Sequence, residues 1–300
     1  MSNHSKGVLY ALVTALMWGV LAIALKIAVT KIDPETIVWF RFILSFIPLL
    51  VWVLLRKREA LKILVKPPVI LIVAAVMLSL NYLGFNYGVQ YTSPGNAQIF
   101  IQLAQILLAV AGIVFLHERF SRVQAIGFLI AIAGLGLFYH QQLVHFAENK
   151  GEYRLGIFLI LMAAVAWATY AILQKVLVVR HSGVALNLFL FGLPTFLFLP
   201  FVKFPQLAHL GVGWWLLLIF LGLNTLVSYT TLALSLKYLE ASKISIILIM
   251  NPILTFIVMG ILGAVHFSMV VPEKFTLVSV TGALTVLAGA LLVIRKPRAG

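Results

Sequence analysis

The chain of 300 residues is 63% hydrophobic and 10% charged, with a mean hydropathy of +1.11, whereas soluble domains hold about 45–50% apolar and about 25% charged residues. This composition excludes a water-soluble globular protein. The net charge of +14 does not indicate nucleic-acid binding, because the basic residues are scattered over the ends of apolar runs. The absence of cysteine excludes disulfides, thiolate metal sites and cysteine nucleophiles.

Ten apolar stretches follow one another along the chain, each near the roughly 20 residues that cross a hydrocarbon core as a helix. The runs are continuous rather than alternating, which favours helices over the strands of a barrel. The first run lacks a small-x-small cleavage end, so we expect it to be a retained span. The predicted spans are 7–30, 36–55, 67–90, 95–116, 121–139, 154–178, 183–202, 213–236, 241–264 and 274–294.

The basic residues predict the orientation. With a cytoplasmic N-terminus, fifteen of the 22 Lys and Arg residues fall in cytoplasmic segments and five in external ones. This asymmetry satisfies the positive-inside rule. We therefore expect a multi-pass protein of the inner (cytoplasmic) membrane with both termini in the cytoplasm, surrounded by the lipid bilayer.

The two halves of the chain resemble each other at nearly constant offsets. An offset of 149 residues aligns Gly7 with Gly156, Trp18 with Trp167 and Lys26 with Lys175. An offset of 147 residues aligns Tyr82 with Tyr229 and Tyr91 with Tyr238. The segment 118–121 mirrors 273–276 at an offset of 155, which implies an insertion of about eight residues around 266–272. Internal repeats of this kind determine the architecture.

The repeats predict an all-α membrane protein of ten transmembrane helices, with a first five-helix repeat at 1–140, an external linker at 141–153 and a second five-helix repeat at 154–300. Since each repeat has an odd number of spans, the second must enter the membrane from the opposite side. Inverted repeats are typical of secondary transporters, whose substrate site lies near the midplane between the repeats.

Several motifs carry a resemblance to a known family. They are Trp18-Gly19, Arg41-Phe42, the segment 91–94, the segment 116–121 leading to Gly127, Asn251-Pro252, and the segment from Glu273 to Gly282. With these motifs the sequence resembles EamA-type members of the drug/metabolite transporter superfamily over nearly its whole length. One departure is that the first-half counterpart of Pro252 is Gln105.

The resemblance implies a ten-helix bundle whose central cavity is lined mainly by spans 1, 3, 4, 6, 8 and 9. It implies export of amino acids and related small metabolites, or of drugs, by alternating access, in a monomer or homodimer with no nucleic-acid partner. The alternative is an integral-membrane enzyme acting on lipid-linked substrates, which should concentrate carboxylates or histidines on one side of the bilayer.

The acidic and histidine residues do not support that alternative. All eight Asp and Glu residues lie in links or at predicted helix ends, so a buried carboxylate relay is not expected. The seven histidines also lie at links or ends, without the i, i+4 spacing of a helical metal site. We expect no metal, no cofactor and no catalytic residue.

The candidate substrate-binding residues are polar or aromatic side chains inside the predicted spans. Gln98, Gln102 and Gln105 share one helix face, which either forms interhelical hydrogen bonds or lines a cavity. The others either face the same cavity or pack in the core as satisfied groups. They are Trp18, Asn81, Tyr82, Asn86, Trp167, Tyr170, Asn224, Ser228, Tyr229 and Asn251.

Two cations and one proline inside the spans complete the candidate set. Lys26 either snorkels to the interface or serves as an anion contact or gate. Arg41 either pairs with helix ends, Asp33 or Glu35, or contacts a substrate anion. Pro252 removes a backbone hydrogen bond within the ninth span, which suggests a hinge, although proline is ordinary in membrane helices.

Overall fold

The structure is a computed structural model that describes residues 2–118, 121–138, 140, 151–265 and 276–294. The secondary structure of these residues consists of helices joined by short turns. The α-helices are α1 (Asn3–Ala28), α2 (Pro34–Arg56), α3 (Lys62–Val65), α4 (Val69–Tyr91), α5 (Pro94–Phe100), α6 (Gln102–Val114), α7 (Arg122–Phe138), α8 (Glu152–Leu177), α9 (Gly183–Phe198), α10 (Phe204–Ala208), α11 (Val212–Tyr238), α12 (Ala241–Leu248), α13 (Asn251–Ala264) and α14 (Leu277–Ile294). The all-helical prediction is confirmed for the described part of the chain.

Eight segments within the described residues are long and apolar enough to cross a membrane. They are α1, α2, α4, α5 with α6, α8, α9 with the short 3₁₀ turn after it, α11, and α12 with α13. Their bounds agree with eight of the predicted spans to within a few residues. Two shorter apolar helices, α7 and α14, lie at the positions predicted for the fifth and tenth spans.

Local sequence explains where several helices begin. Pro34 is the first residue of α2 and Pro94 the first of α5, positions at which the missing N–H of proline has no cost. The Ser93 hydroxyl accepts a hydrogen bond from the Asn96 N–H at 3.2 Å, and the Ser182 hydroxyl caps α9 in the same way. These proline and serine residues therefore favour helix starts at α2, α5 and α9.

Helix pairs hold the bundle together. α1 packs along α11, α4 along α8, α2 along α9, and α7 along α14. In the last pair the backbones approach so closely at Gly127, Gly134, Gly282 and Gly289 that an added methyl group would clash with the opposite helix. Small residues permit such close packing in a membrane, where contact between helices replaces contact with lipid. Large apolar side chains on the outside of the bundle, such as Leu129 and Leu216, are exposed and suit a surface that faces lipid.

The fourth and ninth spans are each interrupted. α5 and α6 meet at Ile101, while α12 and α13 meet at residues 249–250. At both places the hydrogen-bond pattern tightens to i→i+3, with the Ala104 N–H donating to the Ile101 carbonyl and the Met250 N–H to the Ile247 carbonyl. The sequence suggested an interruption only near Pro252, which is the second residue of α13. The interruption at Ile101 contains no proline and was not predicted.

Three predicted features lie outside the described residues. They are the insertion at 266–272, the motif residue Glu273, and most of the linker at 141–153.

Candidate functional site

A cavity lies inside the bundle among the candidate residues. Its volume is about 60 Å³, several times the roughly 10–15 Å³ that one water molecule needs. The lining residues are Trp18, Leu21, Arg41, Asn81, Tyr82, Phe85, Gln98, Ile101, Gln102, Gln105, Trp167, Tyr229 and Asn251. They come from α1, α2, α4, α5, α6, α8, α11 and α13, so α2 joins the spans expected from the family resemblance.

Four aromatic rings from the two halves of the sequence meet at the cavity. The rings of Trp18 and Trp167 contact edge to face, with centroids 5.4 Å apart. The rings of Tyr82 and Tyr229 lie 5.6 Å apart, and Tyr229 lies 5.5 Å from Trp18. Residues that correspond at offsets of 149 and 147 positions in the sequence are therefore neighbours in space. Together they form a wall that can stack against an apolar or aromatic group.

The three glutamines of the fourth span, Gln98, Gln102 and Gln105, have different hydrogen-bond environments. The Gln98 side-chain amide donates to the Trp18 carbonyl at 3.1 Å and so joins α5 to α1. The side-chain oxygens of Gln102 and Gln105 are buried and have no hydrogen-bond partner among the described residues, and the same holds for the side-chain oxygen of Asn251. An unpaired buried acceptor costs free energy. These three oxygens therefore mark places where a ligand donor would be stabilised.

Arg41 lines the cavity although its side chain is only 2% exposed. Its Nε donates to the Thr225 hydroxyl at 3.0 Å, and its guanidinium lies 4.3 Å from the centre of the Tyr82 ring. The acidic partners that the sequence suggested are engaged elsewhere. Asp33 pairs with Lys203 at 2.7 Å, and Glu35 accepts a hydrogen bond from the Tyr87 hydroxyl. Pairing of Arg41 with either acid is thus not observed.

Four of the predicted binding residues lie outside the cavity lining, and each makes a hydrogen bond within the bundle, although the side-chain oxygens of Asn86 and Asn224 are unpaired among the described residues. The Asn86 amide donates to the Tyr82 carbonyl at 2.7 Å, and the Asn224 amide donates to the Met17 carbonyl at 2.6 Å. Two further contacts, like that of Asn86, lie within a single helix. They are the bond from the Tyr170 hydroxyl to Gln174 at 2.5 Å and the bond from the Ser228 hydroxyl to the Thr225 carbonyl at 3.4 Å.

Lys26 also lies outside the lining, and its ammonium contacts backbone carbonyls rather than an acidic side chain. Its ammonium donates to the carbonyls of Val89, Gln90 and Thr92 at 3.0, 2.9 and 2.5 Å. These carbonyls lie at the C-terminal end of α4, where backbone acceptors lack helical partners and carry the negative end of the helix dipole. The sequence could not predict this contact, because the two segments lie more than 60 residues apart.

Lys175, which corresponds to Lys26 in the second half, makes the equivalent contact. Its ammonium donates to the carbonyl of Leu236 at 2.7 Å and also to that of Leu239, at the C-terminal end of α11. Val89 and Leu236 are 147 residues apart, as are Thr92 and Leu239. The two halves therefore use the same residue type on corresponding helices to cap corresponding helix ends.

Three apolar residues line the cavity although they were not among the predicted ones. Leu21 follows Trp18 by three positions, Phe85 follows Tyr82, and Ile101 follows Gln98. Residues three positions apart share a helix face. Extending each candidate by one helical turn would have identified them.

Glu118, a residue of the family motif, forms a contact between the two halves that we call the Glu118 clasp. Its carboxylate accepts hydrogen bonds from the Ala241 N–H at 2.6 Å, the Ser242 N–H at 3.0 Å and the Ser242 hydroxyl at 2.8 Å. These groups begin α12, where a carboxylate satisfies free N–H donors and the positive end of the dipole. A methyl group at Gly112 would come within 2.7 Å of this carboxylate, which would have to shift to make room for it.

Comparisons with known proteins identify the family. The sequence model of the EamA-like transporter family matches residues 5–139 and, a second time, residues 154–295. The inner membrane transporter YhbE of Escherichia coli is 32% identical over 95% of this chain and 90% of its own length. A transporter of Haemophilus influenzae is 31% identical over 95% of this chain and 94% of its own length. The chain therefore belongs to the EamA-like transporter family, and it is a membrane transporter rather than an enzyme.

Two further similarities are more distant. A solved crystal structure superposes with a TM-score of 0.73 over 97% of both chains at 16% identity, which shows a shared fold alone. A protein of Streptantibioticus cattleyicolor named as a probable terminal-alkyne amino-acid exporter is 25% identical over 47% of this chain and 45% of its own length.

Proposed function

We propose that the protein is a secondary transporter that exports small metabolites, such as amino acids or drugs, by alternating access through the central cavity. The observation that carries the proposal is the composition of that cavity. Corresponding aromatic residues of the two halves meet in its wall, and buried polar groups without partners face its interior. Secondary transporters bind substrate at such a place, between two halves that move relative to each other.

Contacts at the helix ends support an inverted arrangement of the two halves. α1 begins beside the end of α11, where Gly7 touches Tyr238 and Leu239. α1 ends beside the end of α4, where Lys26 binds the last carbonyls. α8 begins beside that same end of α4, where Gly156 touches Tyr91 and Thr92. The corresponding helices α1 and α8 would thus start at opposite faces of the bundle, as inverted repeats require.

The same contacts support the proposed organisation of ten spans. In it, 1–140 is the first five-helix repeat, 141–153 an external linker and 154–300 the second repeat, and the paired helices α7 and α14 serve as the fifth and tenth spans. The distribution of basic residues supports cytoplasmic termini. The cavity lies within one chain, so a monomer suffices for transport, and a homodimer would contain two separate cavities.

Alternating access needs contacts that break and helices that bend. The Glu118 clasp joins the first half to the second at the face where α1 begins, and it is an inter-half contact that opening of this face would break. The interruptions at Ile101 and before Pro252 lie beside the cavity and supply places where the fourth and ninth spans can flex. We assign Pro252 as the hinge of the ninth span.

Amino acids are the first substrates to test, because one relative in part of its length is named as a probable amino-acid exporter. Purified protein in liposomes should exchange at least one member of a panel of labelled amino acids, drugs and sugar nucleotides. Trp167→Ala should lower the rate of exchange, whereas Trp52→Ala, on the exposed surface of α2, should not. Failure to move any member of the panel, or equal rates for the two variants at equal amounts of folded protein, would refute the proposal.

A further inference from the structure

Arg41 is a buried cation whose charge is not neutralised by an acidic side chain in the described part of the chain. Ion pairs there join Asp33 to Lys203 and Glu240 to Lys243, and neither involves Arg41. A guanidinium remains protonated in proteins, and burial of an uncompensated charge costs several kcal/mol. Charged residues inside membrane spans mark substrate and ion pathways for this reason. Because Arg41 lies in the cavity wall, its positive charge can be neutralised by a ligand in the cavity.

The neighbours of Arg41 orient it without neutralising it. Thr225 accepts from Nε at 3.0 Å, and the face of the Tyr82 ring lies 4.3 Å from the guanidinium carbon. The Thr225 hydroxyl also accepts from the Tyr82 hydroxyl at 3.3 Å, which ties the two neighbours together. These contacts use only part of the five donors that a guanidinium offers. They hold it in a fixed plane, as recognition of a carboxylate by two parallel hydrogen bonds requires.

The other polar groups of the cavity complement a molecule that carries donors. The side-chain oxygens of Gln102, Gln105 and Asn251 are unpaired acceptors, and they lie on α6 and α13, whereas Arg41 lies on α2. The lining therefore offers a positive charge on one helix and hydrogen-bond acceptors on two others. The aromatic wall adds a surface for an apolar or aromatic group. Among the described lining residues Arg41 alone is charged. One cation matches a single carboxylate better than a doubly charged phosphate.

We propose that Arg41 binds the carboxylate of the transported molecule, and that Gln102, Gln105 and Asn251 accept hydrogen bonds from its donor groups. The substrate class is a small monocarboxylic acid with at least one hydrogen-bond donor, and its uncharged or cationic derivatives are rejected. The inference rests on the proposed transport function, because it assigns the ligand of that same cavity. Rejection follows because a derivative without the carboxylate leaves the guanidinium desolvated and unpaired, and a cation is repelled by it.

The test compares ligands that differ only in the carboxylate. The common amino acids that carry a single carboxylate, together with 3-phenyllactate, are offered to the purified wild-type protein beside their primary amides, and binding is measured as thermal stabilisation. At least one acid should stabilise the protein, and its amide should bind at least about 30-fold more weakly, as loss of a charge-assisted pair predicts. Equal binding of an acid and its amide, or no binding by any of these acids, would overturn the proposal. This comparison needs no variant, so it holds even if changes at Arg41 impair folding.

Variants then assign the effect to Arg41. Arg41→Gln should remove the preference for the acid over its amide, and Arg41→Lys should keep the preference with weaker binding, because an ammonium lacks the planar fork. Lys26→Gln is the matched control, since Lys26 is also a cation inside a span but binds backbone carbonyls. It should leave the preference unchanged. An acid preference that survives in Arg41→Gln, or that disappears equally in Lys26→Gln, would contradict the assignment.

Flux measurements separate the two proposals. Liposomes that move a neutral or cationic compound, but none of the acids, would overturn the role of Arg41 and leave the transport function intact. Liposomes that move nothing would overturn both. Uptake of an acid by the wild-type protein and its loss in Arg41→Gln, with the protein still folded, would support both.

Discussion

Replacing Glu118 by alanine is expected to open the face of the bundle at which α1 begins. The change removes the three hydrogen bonds that the carboxylate accepts from Ala241 and Ser242. Hydrogen bonds to a charged group contribute about 1.5–3 kcal/mol each, and part of this is recovered when water replaces them. We expect a net loss of about 3 kcal/mol for the closed arrangement, equivalent to a roughly 100-fold shift towards the open one.

The assay uses the absence of cysteine from the chain. Ser245 lies one turn beyond Ser242 in α12, fully buried, on a helix that packs against α6. A Ser245→Cys reporter should react with a membrane-impermeant maleimide only when this face opens. Its rate of labelling should rise by roughly 100-fold when Glu118→Ala is added. Glu118→Gln keeps one acceptor oxygen and should give a smaller rise.

A neighbouring carboxylate provides the control. Glu240 precedes α12 and pairs with Lys243 of the same helix at 2.6 Å, so its contacts do not join the two halves. Glu240→Ala should change the labelling rate by less than about fivefold, since a partly exposed ion pair contributes about 0–1 kcal/mol. Equal rates for the alanine variants of Glu118 and Glu240 would refute the reasoning.

Three further changes test other parts of the structure. Lys175→Met should lower the free energy of unfolding by about 2 kcal/mol, because carbonyls at the end of α11 lose a charged donor. The melting temperature in detergent should fall accordingly. Lys62→Met, a change on the surface, should leave that melting temperature unchanged. Gly282→Ala should lower the free energy of unfolding by about 1–3 kcal/mol, since the new methyl group meets the backbone of α7. Gly136 has open space around it, so Gly136→Ala should leave stability unchanged. Equal melting temperatures for the two variants would contradict the close contact. Pro252→Ala should slow exchange in liposomes several-fold without changing the half-saturation concentration, if the ninth span bends there; an unchanged rate would remove the hinge.

Much of the helical framework could be predicted because hydropathy alone sets where a chain enters and leaves a bilayer. The bounds of α1, α2 and α11 follow from this. The interruption at Ile101 could not be predicted, because it arises from a local change in hydrogen bonding that has no proline or glycine to mark it. The equivalent interruption in the ninth span was marked by Pro252.

Helical periodicity predicted which side chains share a face, but it could not identify the neighbours of each face. The three glutamines of the fourth span illustrate the limit, since Gln98 bonds to α1 while Gln102 and Gln105 face the cavity. Arg41 shows the same limit for charge. Nearby acids suggested a local pair, whereas one of those acids binds Lys203, 170 positions further along the chain.

The edge-to-face contact of Trp18 and Trp167 places two indoles where cargo would lie. The wavelength of indole fluorescence depends on the polarity around the ring, so filling or emptying the cavity should shift the emission maximum of these tryptophans. The remaining four tryptophans do not line the cavity and could be replaced by phenylalanine. In such a variant, tryptophan fluorescence would report whether the cavity is occupied, without an attached dye.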